Sequence, residues 1–218
     1  MTPLQHSLAQ GAPAGVVKSE FVFDRVPFPS CHASTICESD GALVCAWFAG
    51  TREKARDVGI WLSRYEGKAW SEPVEVSNGR DEDARIQYAC WNPVLHQART
   101  GPMLLFYKVG PSPSEWWGML MTSNDGGKTW SEEKRLPKNI FGPIKNKPIE
   151  LTDGTLLCGS STEDAGWRVH VEKTKTFGKT WTRSAALNSA LDYGAIQPTL
   201  LAWKDGRSDP DRARVLRT

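Results

Sequence analysis

The chain of 218 residues holds only five cysteines and four histidines, no long apolar run, and no excess of either charge. Each shortage excludes something. Lysine and arginine number 27 against 25 aspartate and glutamate, a net charge of +2. The two signs are interspersed rather than gathered into a stripe, so no nucleic-acid partner is expected. The segment from Met1 to Gly11 carries neither the basic cluster nor the apolar core of an export signal. No stretch offers the roughly 20 apolar residues of a membrane span, so a cytoplasmic location without a membrane partner is expected. Cys31, Cys37, Cys45, Cys90 and Cys158 are odd in number, and none forms a CxxC pair. They read as reduced, buried small side chains, with no disulfide, metal or other cofactor implied. Helical periodicity is nearly absent along the chain.

What the chain has is tryptophan, ten in all, and a repeat. Three tryptophans close near-copies of one motif: Ser123 to Trp130, Thr174 to Trp181 and, more weakly, Ser63 to Trp70. A turn glycine before an apolar run recurs in step at Gly41, Gly101, Gly154 and Gly206. The glycine-to-tryptophan distances are 29, 29 and 27 residues, and the glycines are 60, 53 and 52 apart. A period near ~50 residues with several strands in each unit is the mark of a β-propeller. Trp70, Trp130 and Trp181, with Trp47 and Trp61, then fill the wedges between blades. Trp116 and Trp117 follow a Pro/Ser-rich loop, and read equally as a sugar-stacking platform or as core at the head of the next strand.

Each repeat is expected to be one blade of four short antiparallel strands. In the clearest repeat, strands are predicted from Trp91, over Met103 to Val109, over Trp117 to Thr122, and briefly over 129–131. The expected fold class is therefore all-β. Residues 1–15 read as a mobile N-terminal segment, and 16–218 as the N-terminal part of the propeller. Repeats fall at about 31–75, 90–135 and 145–185, with an incomplete one at 195–218 that opens at Ile196 to Leu201. Three repeats and an opening do not close a ring. The expectation is thus a truncated propeller, unstable alone, whose partner is the missing C-terminal half.

The pattern Ser-x-Asp-x-Gly-x-Thr-Trp resembles the Asp-box, or BNR repeat, of sialidases and related propellers. Its chemistry is local: Asp and Ser side chains cap backbone N–H groups, Gly takes a positive φ, and Trp packs into the sheet stack. In that family the boxes lie on the outer rim, so Asp125 is no catalytic candidate. The resemblance covers about residues 20–218. It extends to the segments from Thr51 to Val58, Gly142 to Ile149 and Gly166 to Glu172, and it implies the six-bladed sialidase fold with only three to four blades in this chain.

Candidate site residues come from two arguments. A propeller site forms at the axis, where the first strands of the blades begin. Nine residues before the turn glycines stand His32, Asn92 and Gln197, and the matching place in the third repeat falls in Lys145 to Lys147. These read as a polar ring lining a pocket, or as ordinary solvated strand starts. The second argument is the resemblance. Sialidases place a carboxylate-binding Arg on the first strand, a second Arg about one strand later, and an acid/base Asp five residues beyond. Here His32, Arg52 and Asp57 hold comparable spacings of 20 and five residues. The resemblance implies catalytic roles for Asp57 and His32 and anion binding by Arg52, although His32 stands where the family has arginine. Asn92, Lys147, Glu163, His170 and Gln197 are further substrate-binding candidates. Residues 52–57 also read as a surface salt-bridge loop. His170 and Glu172 share one strand face, and read also as a solvated outer strand. The implied activity is an exo-glycosidase releasing a terminal acidic sugar from a carbohydrate partner. A lyase or rhamnosidase-type hydrolase using His32, and a non-catalytic sugar-binding propeller, are the alternatives.

Overall fold

A computed structural model describes residues 15–81 and 85–202. Most of the segment expected to be mobile lies outside the described residues, as do the Gly206 turn and the basic run that follows it.

The described residues form β-strands and loops, with no helix among them. The first sheet is β1 (Ser30–Ser39), β2 (Ala42–Gly50), β3 (Gly59–Tyr65) and β4 (Val74–Ser77), in that order. A small hairpin follows, β5 (Arg80–Asp81) with β6 (Ile86–Gln87). The second sheet is β7 (Cys90–Gln97), β8 (Met103–Val109), β9 (Trp117–Ser123) and β10 (Lys134–Arg135). The third is β11 (Ile149–Glu150), β12 (Leu156–Thr162), β13 (Arg168–Thr174) and β14 (Thr182–Arg183). All pairings in these sheets are antiparallel. The short fourth strand lies beyond the tryptophan, at Lys134–Arg135, and not at 129–131. Ile196 to Leu201 joins no ladder among the described residues.

Two apolar cores join the sheets in sequence. One face of the first sheet (Val44, Ala46, Phe48, Ile60, Leu62) packs on Leu95, Met103, Leu105, Tyr107 and Met121 of the second. The second sheet's other face (Val94, Leu104, Phe106, Leu120) packs on Leu156 and Cys158 of the third. The middle strands are therefore apolar on both faces, which is why β8 reads as a continuous hydrophobic run. The remaining face of the first sheet, with Trp47 and Trp61, is covered by Phe23 and Phe28 of the N-terminal segment.

The boxes couple neighbours. Ser123 Oγ accepts from Gly127 N at 2.8 Å, and Asp125 Oδ1 accepts from Lys128 N and Thr129 N at 3.0 and 2.9 Å. The Thr129 hydroxyl, which donates to Asp125 Oδ2 at 2.6 Å, and then the Thr129 N–H and the Ser123 hydroxyl hold the Asp125 carboxyl well below the usual carboxylate range. The turn they fix sets Gly127 and Trp130 against Val44 of the preceding sheet. In the third sheet Thr174 and Thr176 replace Ser and Asp, accepting from Gly178 N at 3.1 Å and Thr180 N at 2.8 Å. That turn sets Trp181 edge-on to Phe106, 6.1 Å between centroids.

Gly178 tests this coupling. Its φ is +83°, and a Cβ there would run into Leu120 of the second sheet. Gly178→Ala combines left-handed strain with overpacking and is expected to cost about 1–3 kcal/mol, read as a lowered urea midpoint.

Candidate functional site

Because the strands alternate, one end of the sheets collects the starts of β1, β7 and β11 and the β2–β3, β4–β7, β8–β9, β10–β11 and β12–β13 connections. His32, Arg52, Asp57, Asn92, Glu163 and Gln197 all fall at this end. The first strands lie side by side along one edge, the inner edge of the array. Leu95 N of β7 donates to Thr35 Oγ1 of β1 at 3.3 Å. His96 of β7 meets Glu150 of β11 at 3.3 Å. Lys147, in the approach to β11, donates its ammonium to the Leu95 carbonyl at 2.9 Å and to Thr35 Oγ1 at 3.5 Å. One side chain thus ties all three sheets at the inner edge. Burial lowers its pKa.

The strand starts are irregular in the same way. β1 and β7 carry a bulge between His32 and Thr35 and between Trp91 and Val94. Ala33 (φ +56°), Asn92 (φ +40°) and Gln197 (φ +55°) take left-handed conformations, which non-glycine residues adopt rarely and often at functional sites. The bulges correct the alignment made by counting from the glycines. Asn92 matches Ala33, and His32 matches Trp91, because the first repeat is one residue shorter between bulge and turn. His32 is exposed and stacks on Phe48, 5.4 Å between centroids. Asn92 is only 7% exposed, yet its amide makes no hydrogen bond with any described residue. The Gln197 carbonyl accepts from Asn146 Nδ2 at 2.7 Å, and its N–H donates to Ser161 Oγ at 3.3 Å.

Arg52 and Asp57 stand on the exposed β2–β3 loop. Asp57 Oδ2 accepts from both the backbone N–H (2.9 Å) and the hydroxyl of Thr51. The hydroxyl bond is the main reason its pKa is lowered, and Arg52 adds a smaller Coulombic effect. The loop is held by Thr51 and by turns from Ala55 to Arg52 and from Val58 to Ala55, not by ion pairs among the described residues. Glu163, half-buried in the β12–β13 connection, is shifted the opposite way: burial raises its pKa. Its carbonyl accepts from Ser114 Oγ of the β8–β9 connection at 3.4 Å.

Three readings from sequence need correction. His170 is not a rim residue, and the solvated-strand alternative fails with it: His170 is 1% and Glu172 0% exposed. Their shared face points into the joint between the second and third sheets, where His170 Nε2 donates to Glu172 Oε1 at 2.9 Å. Trp116 is core, edge-on to Trp91, while Trp117 is covered by the Arg135 guanidinium at 4.3 Å, so neither is a free platform. Cys31 is exposed rather than buried.

Lys108 is what sequence reasoning missed. It is fully buried in β8 and donates to the carbonyls of Pro143 and Ile144, the latter at 3.1 Å. Glu172, across the joint on β13, accepts from Phe141 N at 3.1 Å and Gly142 N at 2.7 Å. An oppositely charged pair therefore grips both ends of one backbone segment, 141–144. The signal was available: a lysine inside Met-Leu-Leu-Phe-Tyr-Lys-Val has no solvated face to occupy.

Burial pushes the Lys108 amine down from 10.5 to about 7. Between those values the unfolded chain holds a proton that the folded chain has released. Stability attributable to Lys108 therefore rises with pH above about 7 and is lost as pH falls toward it. Urea midpoints of the chain are expected to climb from pH 7 to 9, and Lys108→Met to flatten that climb.

Comparison with known proteins agrees with this architecture. The family model of the BNR repeat-like domain matches residues 41–209. A Hadza microbial sialidase superposes with a TM-score of 0.61 at 19% identity, covering 72% of this chain and 37% of that one. A Trypanosoma rangeli sialidase in complex with sialic acid gives 0.59 at 15% identity, with 80% and 33% covered. A protein of unknown function from Dyadobacter fermentans gives 0.64 at 17% identity, with 81% and 60% covered. The chain thus spans less than two thirds of each of these proteins, and at such identities the likeness is one of fold. No curated protein matches the sequence. With the boxes, the stacked four-stranded sheets and a family match over most of its length, the chain belongs to the BNR repeat-like, sialidase-like family.

Proposed function

We propose that the chain is the N-terminal part of a six-bladed, sialidase-type β-propeller acting as an exo-glycosidase on a terminal acidic sugar. The three described sheets are its first blades, further blades close the ring, and the reduced cysteines suit a cytoplasmic location. The observation that carries the reading is the set of polar groups left without protein partners at one end of the inner strands. Asn92 is nine-tenths buried and unbonded, and His32 is exposed on an aromatic support. Such groups in a family built on the sialidase fold read as ligand contacts. Asp57 serves as acid/base, Arg52 holds the substrate anion, and His32, Asn92, Lys147, Glu163 and Gln197 line the pocket.

A second reading has an observation of its own. The Thr51 hydrogen bonds favour ionised Asp57, which suits a base or a charge stabiliser better than a proton donor. His32 then becomes the proton-transfer group, as in a lyase or a rhamnosidase-type hydrolase.

Turnover of a fluorogenic sialoside by the full-length gene product, beside Asp57→Asn and His32→Ala, separates the readings. The glycosidase reading expects Asp57→Asn to lower kcat by about 10²–10⁴-fold while sugar binding persists. Loss confined to His32→Ala, or a product absorbing in the near ultraviolet, supports the second. Sugar binding without turnover in the unaltered protein makes it a carbohydrate-binding propeller.

A further inference from the structure

Two lysines of the β10–β11 connection, Lys145 and Lys147, and Lys108 of β8 surround one stretch of backbone, and their surroundings differ. Lys108 is spent on the Pro143 and Ile144 carbonyls, and Lys147 on Leu95 and Thr35. Lys145 is half-buried and makes no hydrogen bond or ion pair with any described residue. Its backbone is nevertheless fixed on both sides. The residue before it, Ile144, is fully buried, donates its N–H to the Gly159 carbonyl at 3.1 Å, and accepts from Lys108. The residue after it, Asn146, is bonded to the Gln197 carbonyl.

The ladder gives its level along the axis. Lys108 is the register partner of Trp91, the neighbour of Asn92. The Ile144 carbonyl that Lys108 grips belongs to the peptide that ends at the Lys145 nitrogen. Lys145 therefore enters the array at the height of Asn92, whose side-chain amide bonds no described residue and is left open to solvent or a ligand. An ammonium half out of water with no anion beside it is costly to hold, and burial already lowers the Lys145 pKa.

We propose that Lys145 and Asn92 form the subsite for the carboxylate of the acidic sugar, Lys145 supplying the charge and Asn92 a hydrogen bond, in place of the arginine that His32 displaces. This rests on the glycosidase reading for the substrate class and adds the residues that select it. The lysine gives a point charge with three donors rather than a planar fork, so recognition depends on charge more than on bidentate geometry. A sugar whose carboxylate is exchanged for a neutral group loses the Lys145 contact.

The test is calorimetric titration of the full-length protein with glucuronate, N-acetylneuraminate and glucose. Lys145→Met is expected to weaken acid-sugar binding by 10-fold or more and to leave glucose unchanged, with Lys145→Arg restoring most of the loss. Asn92→Ala is expected to weaken the same acids. Dimethyl-lysine NMR gives a readout independent of folding yield: the Lys145 resonance should move on adding the acid that binds, while that of exposed Lys128 stays. Acid binding that survives Lys145→Met, or a Lys145 resonance that does not move when acid binds, overturns the subsite and leaves the glycosidase reading standing. If the unaltered protein binds neither acid, both fall.

Discussion

A buried ionisable side chain on each side of one sheet joint, Lys108 and Glu172, holds the backbone that runs between them. The segment 141–144 crosses the joint without a strand ladder of its own, so its N–H and C=O groups need other partners. Glu172 takes the N–H groups of Phe141 and Gly142, and Lys108 takes the carbonyls of Pro143 and Ile144. Neither charge is solvated, so each relies on that segment and on the other's field. Removing one partner of such an arrangement typically costs about 3–5 kcal/mol, because the survivor is left uncompensated. An apolar pair of similar volume would fill the joint but would leave the peptides unpaired. The charges are there to satisfy backbone, and in doing so they fix where the chain enters β11.

The consequences run to the inner edge. Fixing 141–144 places Lys145, Asn146 and Lys147 in succession; Lys147 reaches the first and second sheets, and Asn146 the segment at Gln197. Apolar packing alone would let neighbouring sheets slide, since dispersion and burial are nearly indifferent to small shifts. The Lys147, Thr35–Leu95 and His96–Glu150 contacts are directional and fix the heights of β1, β7 and β11 against one another. The box turns perform the complementary task further out, where Trp130 and Trp181 pack against the sheet before their own. Wedges set the spacing of the sheets, and polar bridges at the inner edge set their height.

Much of this was legible in the sequence, and the reason is periodicity. A glycine and a tryptophan recurring together mark the first hairpin and the box turn of each sheet, both local structures encoded by adjacent residues. Met103 to Val109 was read as a strand because a nearly continuous apolar run is a strand buried on both faces, and its one lysine, Lys108, was the part passed over. The failures share a cause as well. Counting from the glycine misaligned His32 with Asn92, because the first repeat is one residue shorter between bulge and turn and no composition signal marks the difference. His170 and Glu172 looked solvated because alternating polar residues usually are, and only the third dimension shows that their face meets another sheet. Trp116 and Trp117 read equally as platform or core because a loop precedes them, and what decides it, Trp91 and Arg135, is remote in sequence.

The two carboxylates at the open end lie in opposed environments. Thr51 donates twice to Asp57 and stabilises its charge, whereas Glu163 is half-buried without a donor and its charge is disfavoured. Sites that move protons commonly hold two groups whose environments push their charge preferences apart. The division here does not come from the arginines of the β2–β3 loop, which contribute least to Asp57. It comes from a hydroxyl six residues away in sequence and from burial in a different sheet. A bound anion between them would raise both carboxyls, and a cation at Lys145 would offset that rise. The electrostatics of the site are therefore set jointly by the first and third sheets, and the joint that Lys108 and Glu172 secure is what keeps the second contribution in place.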